Sequence, residues 1–238
     1  DELNIGYQDQ KLAGPLSFKV RKGQRVGIIG PNGIGKSTLL KTLLKKISKL
    51  SGTIKFGANL EIGYYDQEQQ QLHPEKTVLE EVWDDHPEVS EKDIRSLLGS
   101  FLFVGDDVYK PVSALSGDEK ARLELTKLSF MPINFLILDE PTNHLDIDSR
   151  EVLETAINEF DGTVLFISHD RYFLNQVATD ILYMTAHGMT HYEGNYDDYL
   201  TQQAKLEPQT QPEAKTKQST GQLSYQQSKE TQRARRKL

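Results

Sequence analysis

The stretch Gly30-Pro31-Asn32-Gly33-Ile34-Gly35-Lys36-Ser37-Thr38 decides how this chain is read. It fits the pattern G-x-x-x-x-G-K-[ST], a glycine-rich turn that joins a strand to a helix. The flanks agree. Arg25 to Ile29 (RVGII) predicts a short buried strand, and Lys36 to Ser48 carries leucines at helical spacing. Gly30, Gly33 and Gly35 permit a tight turn that brings backbone N–H groups toward a phosphate chain. The helix adds free N–H donors and the positive end of its dipole. Pro31, Asn32, Ile34 and Thr38 complete the loop and its exit. Lys36 is placed to reach β- and γ-phosphates, and the Ser37 hydroxyl to hold Mg2+.

Two stretches further on belong with this loop. Phe135-Leu136-Ile137-Leu138 runs directly into Asp139-Glu140. Four apolar residues and then two carboxylates predict a buried parallel strand that ends at the carboxyl edge of its sheet. Open α/β sheets bind ligands at that edge. Adjacent carboxylates there are costly unless a metal or a reaction uses them. Asp139 suits a water-mediated Mg2+ role, and Glu140 suits a base or water-positioning role. The alternative for the pair is a helix cap or a solvated turn. Thr163 to Ser168 predicts another buried strand, with His169-Asp170 at its end. A histidine there can hydrogen-bond a γ-phosphate or its attacking water.

Composition sets the bounds. The chain has 238 residues, 37% hydrophobic and 26% charged, which is ordinary for a soluble globular protein of one large or two small domains. Its apolar runs fall far short of the ~18 residues that indicate a membrane span. No secretory signal is visible and the first residue is not Met, so a piece of a longer protein is expected. The absence of cysteine excludes disulfides, thiol catalysis and cysteine-ligated zinc, and fits a cytoplasmic protein. A net charge of −7 argues against a general electrostatic grip on nucleic acid. From Thr201 onward, however, eight basic residues face three acidic ones, which leaves the remainder at −12.

The rest of the chain falls into segments. Leu3 to Ile5, Leu16 to Val20, Gly52 to Phe56 and Glu61 to Asp66 read as strands. Tyr7 has two readings, a purine-stacking ring or a packed strand tyrosine. Thr77 to Trp83, Glu91 to Phe103 and Gly117 to Phe130 show helical spacing, which makes residues 68–130 a mostly helical insertion. Asp180 to Thr185 and Met189 to Tyr192 read as a hairpin turned at His187-Gly188. The pair His187 and His191 has metal-like spacing, but it lies across that hairpin and not along a helix, which argues against a metal site. Thr201 to Gly221 has the composition of a linker, assigned to residues 205–221. Residues 222–238 regain a basic helical character, with Arg233, Arg235, Arg236 and Lys237 suited either to phosphate contacts or to the solvated face of a coiled coil.

The set of motifs resembles the ATPase domain of ABC proteins. GPNGIGKST, Gln67 after a strand, LSGDEKARLEL from Leu115, FLILDEPTNHLD from Phe135 and ISHDRYFL from Ile167 look like its P-loop, Q-loop, signature, Walker B with D-loop, and switch histidine. PTNHLD, SHDRYFL and EGNYDDYL (Glu193 to Leu200) resemble the ABC-F subfamily, soluble tandem-domain ATPases that act on the ribosome. The resemblance covers residues 1–200. It implies a P-loop NTPase of the ABC ATPase type, with a mixed and mainly parallel α/β sheet, a β-subdomain and a helical insertion. The domain would span residues 1–204, as the second of two, followed by the start of a C-terminal coiled-coil arm.

By this resemblance ATP and Mg2+ are the ligands. Tyr7 stacks on adenine, Gln67 senses Mg2+ and the γ-phosphate, Glu140 is the catalytic base with His169 beside it, and Ser37, Gln67 and Asp139 surround the metal. Leu115, Ser116, Gly117, Asp118 and Glu119 complete the ATP site of a facing ABC domain, and Asp146 touches that domain. Asp118 stands where the family has Gly, which puts the partner's site in question. The implied partners are a second ABC domain and the ribosome with its RNA, without membrane insertion. Two other readings stay open. One is the ATPase subunit of a membrane transporter, with a separate permease. The other is a nucleotide-binding scaffold that does not hydrolyse.

Overall fold

The computed structural model describes residues 1–8, 10–66, 72–143 and 145–206. The chain divides into two units, Asp1–Ala204 and Lys205–Leu238. Within the first, the strands β1 (Leu3–Tyr7) and β2 (Gln10–Leu16) pair as a small antiparallel sheet. A second sheet holds β3 (Arg25–Ile29), β4 (Ile62–Asp66), β5 (Phe135–Asp139), β6 (Thr163–Ile167), β7 (Asp180–Thr185) and β8 (Gly188–Glu193). Its order is β4-β5-β6-β3-β7-β8, parallel throughout except for the β7–β8 hairpin. The helices are α1 (Lys36–Leu43), α2 (Val78–Trp83), α3 (Glu91–Ser100), α4 (Gly117–Phe130), α5 (Ile147–Glu159), α6 (Arg171–Val177) and α7 (Tyr196–Leu206).

A parallel sheet covered on both faces needs strands that are apolar at every position. β5 and β6 are buried along their whole length. Alternate residues serve opposite layers. Phe135, Ile137, Leu165 and Ile167 pack with α1 and the β1–β2 sheet, while Leu136, Leu138, Val164 and Phe166 pack with residues of α2 to α6. Leu39 and Leu40 of α1 are fully buried, so the helix behind the glycine-rich loop is anchored to the core. Each such side chain contributes about 1.5–3 kcal/mol.

The helical region is begun by caps. The Thr77 and Ser116 hydroxyls each accept the N–H three residues on, and Glu80 and Glu119 reach back to close a capping box. The fully buried Glu81 accepts from the His73 N–H at 3.1 Å and from the Lys127 ammonium, which ties α2 to α4. At the far end, Tyr199 of α7 meets Tyr192 of β8 edge-on at 5.0 Å and stacks near Tyr183 at 5.9 Å. Burial among these rings pushes the Tyr199 hydroxyl up to about 12. The EGNYDDYL stretch, Glu193 to Leu200, thus clasps the start of α7 onto the hairpin.

Four local expectations are corrected. Strand pairing covers Gln10–Leu16, not Leu16 to Val20. Phe18 and Val20 do point inward at period two, but they pack on the core without a strand partner among the described residues. Gly52 to Phe56 forms no strand: the Asn4–Ser51 bridge precedes it, the Thr53 N–H donates to the Asp1 carbonyl at 3.0 Å without a ladder, and Ile54 is held by packing. The helix from Lys36 ends at Leu43, short of Ser48, and Lys45 at φ 59° turns the chain away. The hairpin turns at Ala186-His187, one residue before the expected place.

Candidate active site

The parallel strands end together, and four of these ends build the site. β3 delivers the loop Gly30–Gly35, β4 delivers Asp66, β5 delivers Asp139 and Glu140, and β6 delivers Ser168 and His169. Gly30 has φ 150°, and a Cβ there would stand 2.3 Å from the Met184 carbonyl oxygen, so only glycine fits. Gly35, at φ 98°, is the N-cap of α1 and offers no side chain to its N–H groups. The helix therefore presents bare donors and the positive end of its dipole to the loop.

Lys36 is nearly buried, and its ammonium donates to the Gly30 and Pro31 carbonyls, both at 3.0 Å. Burial lowers its pKa, while the nearby Glu140 and Asp139 charges pull it back up. The Ser37 hydroxyl donates to Asp139 Oδ1 at 3.0 Å. Asp139 is buried, and that burial raises its pKa above the usual carboxylate range. Asp66 and Glu140 add to the rise and the Ser37 bond opposes it. Such a carboxylate, sharing a hydroxyl with a P-loop serine, is the donor set expected of an oxygen-ligated Mg2+ site. The cation and phosphate charges complement the bare helix end, so ATP and Mg2+ fit the residues present.

Glu140 follows with φ 48°, an uncommon conformation for a non-glycine residue. Its N–H donates to the Ile167 carbonyl at 3.1 Å, which locks it against β6. Its carboxylate meets His169 twice, with Oε2 accepting the backbone N–H at 3.3 Å and Oε1 lying 3.2 Å from Nε2. Beneath them, the Thr142 and Ser168 hydroxyls bond at 3.2 Å. Tyr7 is half exposed, and its hydroxyl lies 3.5 Å from Thr38 Oγ1, so its ring stands at the mouth of the loop. Lys36, Ser37, Thr38, Asp139, Glu140, His169 and Tyr7 thus gather at one edge. Gln67 lies outside the described residues.

The remaining expected residues sit elsewhere. Leu115 is buried below Ser116, the N-cap of α4, where the Ser116 N–H donates to Glu119 Oε2 at 2.8 Å. Gly117 and Asp118 form the first turn, with Asp118 half exposed. Capping is done by Ser116 and Glu119, so the Asp118 carboxylate is not needed for it. Among the described residues, no bond from Leu115–Glu119 reaches the glycine-rich loop. Asp146 caps α5 by accepting the Ser149 N–H at 2.8 Å, and Ser149 holds its carboxyl below the usual range. His191, of the considered histidine pair, bonds Asp180 at 2.7 Å across the hairpin.

One site residue was not singled out from sequence. Asp66 pairs in register with Asp139, takes the Tyr64 hydroxyl at 3.0 Å and faces the Lys41 ammonium at 4.0 Å. Its only sequence signal is a carboxylate at a strand's end, the signal that marked Asp139.

Comparison with known proteins gives the same answer. Residues 13–143 match the ABC transporter family. YdiF of Bacillus subtilis (strain 168) is 53% identical over 216 residues, covering 89% of this chain and 34% of that protein. The ABC transporter F family member 5 of Arabidopsis thaliana is 41% identical over 200 residues, covering 83% of this chain and 29% of its own length. The ATP-binding protein Uup of Escherichia coli (strain K12) is 39% identical over 219 residues, covering 89% and 34%. The chain thus spans about a third of the length of these relatives. A solved structure of an RNase-L inhibitor superposes with a TM-score of 0.69 at 24% identity, over 86% of this chain and 41% of that one. Among the described residues no helix is long and apolar enough to cross a membrane. With the family match lying across the glycine-rich loop and the Asp139-Glu140 edge, the chain belongs to the ABC transporter family, as an ATP-binding domain of the ABC-F kind.

Proposed function

We propose that the chain is the second ATPase domain of a longer ABC-F protein that acts on the ribosome in the cytoplasm. It hydrolyses ATP to ADP and phosphate, at a site completed by the signature of a facing ABC domain. One observation carries the hydrolytic part: Glu140 is held by His169 at 3.2 Å on the sheet edge that also bears Lys36 and the Ser37–Asp139 pair. A scaffold that only bound nucleotide would not require a strained backbone to aim a carboxylate there.

Each residue then has a task. The Tyr7 ring stacks on adenine. The loop N–H groups from Gly33 to Thr38 and the Lys36 ammonium hold the phosphate chain. Ser37, Asp139 and Gln67 surround Mg2+, which when bound neutralises phosphate charge. Asp66 stands in register beside Asp139, where its charge adds to the local demand for a cation. Glu140 orients the attacking water and takes its proton, while His169 steadies the carboxylate through its backbone N–H to Oε2 and its Nε2 beside Oε1, and its ring reaches toward the γ-phosphate. Water oxygen bonds to the γ-phosphorus as the bond to the β–γ bridging oxygen breaks.

The signature residues Leu115–Glu119 serve the partner's nucleotide, and Asp146 meets the partner. Residues 205–221, the first two of which close α7, lead as a linker to a basic arm begun by 222–238, and 207–238 lie outside the described residues. The ribosomal role is supported by the PTNHLD, SHDRYFL and EGNYDDYL motifs and by the ABC-F relatives. Two measurements test the proposal. ATP turnover should be low for the 238-residue chain and far higher for the longer protein at equal site concentration; equal rates would remove the composite site. The longer protein should sediment with ribosomes, and sedimentation with membranes instead would favour a transporter subunit.

A further inference from the structure

The acidic whole conceals a basic sector. Residues 1–60 hold eleven of the 28 Lys and Arg but three of the 35 Asp and Glu, whereas residues 61–200 hold nine and 29. Part of that excess gathers at the amino edge of the sheet, opposite Lys36 and Glu140. A cavity of about 950 Å³ opens there beside the starts of β5 and β6, floored by Leu43, Phe135 and Leu165. Lys19, Arg21, Lys22 and Lys55 line it, with Phe18 and Phe56 among its walls and the carboxylates of Asp1 and Asp161 at its rim. All four cations are exposed, and none has a carboxylate partner among the described residues. Phe56 is 41% exposed, although it is a large apolar ring. The cavity lies in the size range of organic-ligand pockets.

We propose that this cavity is a single-stranded RNA site, with phosphates on Lys19, Arg21, Lys22 and Lys55 and one base seated against Phe18 and Phe56. Unpaired cations beside an exposed aromatic ring are the chemistry that holds unstacked nucleotides. The choice of RNA rests on the ribosomal reading above; the demand for an anionic, aromatic ligand does not.

The probe is a fluorescent twelve-nucleotide oligoadenylate, titrated by anisotropy against the 238-residue chain at several salt concentrations. Replacing Lys19, Lys22 and Lys55 together by Gln should weaken binding at least tenfold. It should also reduce the slope of log K against log salt by about 2, at about 0.7 per lost contact on a single strand. Phe56→Ala should weaken binding about tenfold with the slope unchanged, because stacking releases no counterions. Both variants should bind ATP as the parent does. Unchanged RNA affinity in both, with binding abolished by deleting residues 222–238, would overturn the site. So would anionic phosphatidylglycerol vesicles that bind with the same lysine dependence and no Phe56 dependence. If the variants lose RNA while the longer protein fails to sediment with ribosomes, the site stands and the ribosomal reading falls. Intact sedimentation with unaffected oligonucleotide binding removes the site alone.

Discussion

Replacing Glu140 by Gln separates binding from chemistry at this site. The amide has the same shape and sits on the same backbone, whose φ of 48° is held by the 3.1 Å bond to Ile167. Its oxygen still accepts the His169 N–H, now 3.3 Å from Oε2, and its NH2 faces Nε2 across the present 3.2 Å. What disappears is the group that takes a proton from water. Loss of a positioned general base costs about 10²–10⁴ in rate, or roughly 3–5 kcal/mol of transition-state stabilisation. Nucleotide affinity should stay within about tenfold, because Lys36 and the loop donors are untouched and one negative charge near the phosphates is removed. The assay is phosphate release in single turnover by the longer two-domain protein, with ATP affinity measured in parallel. Turnover within threefold of the parent would refute the base assignment. Loss of ATP binding would show that the Glu140–His169 contact is structural.

Other outcomes follow from the same geometry. Lys36→Ala removes a charge-assisted contact and should weaken ATP binding about ten- to a hundredfold by titration with a fluorescent analogue, while leaving the fold intact. Gly30→Ala would place a Cβ 2.3 Å from the Met184 carbonyl at φ 150°. Such strain costs about 1–3 kcal/mol, roughly 3–10 °C in Tm by calorimetry, with ATP binding weakened as the loop shifts. Asp139→Asn tests the raised carboxyl. Because burial raises its folded-state pKa, the carboxyl stabilises the native state fully below its unfolded value, and that contribution is lost as pH rises through the raised one. Without nucleotide and Mg2+, Asp139→Asn should therefore melt higher than the parent at pH 7, with the gap closing below about pH 4. Asp118→Gly should leave the α4 cap intact and cost at most about 1 kcal/mol of helix stability. It should tighten ATP-driven closure at the facing domain's site, read as single-site turnover with Glu140→Gln silencing this one. No change there would mean the signature tolerates the carboxylate.

Local pattern alone determined much of this protein. Gly30 to Thr38, with an apolar run before it and leucines after it, dictates strand, turn and helix because glycine freedom and helical period are properties of neighbouring residues. The ends of β5 and β6, and with them Asp139, Glu140 and His169, were legible because a strand buried on both faces must be apolar until it emerges. Strand partnership was not legible. Leu16 to Val20 and Gly52 to Phe56 carry the alternation of strands, yet hydrogen-bonded pairing depends on which edge lies beside them. The order β4-β5-β6-β3-β7-β8 sets Asp66 beside Asp139, and no spacing along the chain encodes that register. The meeting of Glu140 with His169, 29 residues apart, and the gathering of Lys19, Lys22 and Lys55 around one cavity likewise arise only when the chain is folded. Hydrogen bonds need partners about 3 Å apart and charge interactions are screened over about 10 Å, and only tertiary packing brings such distant residues that close.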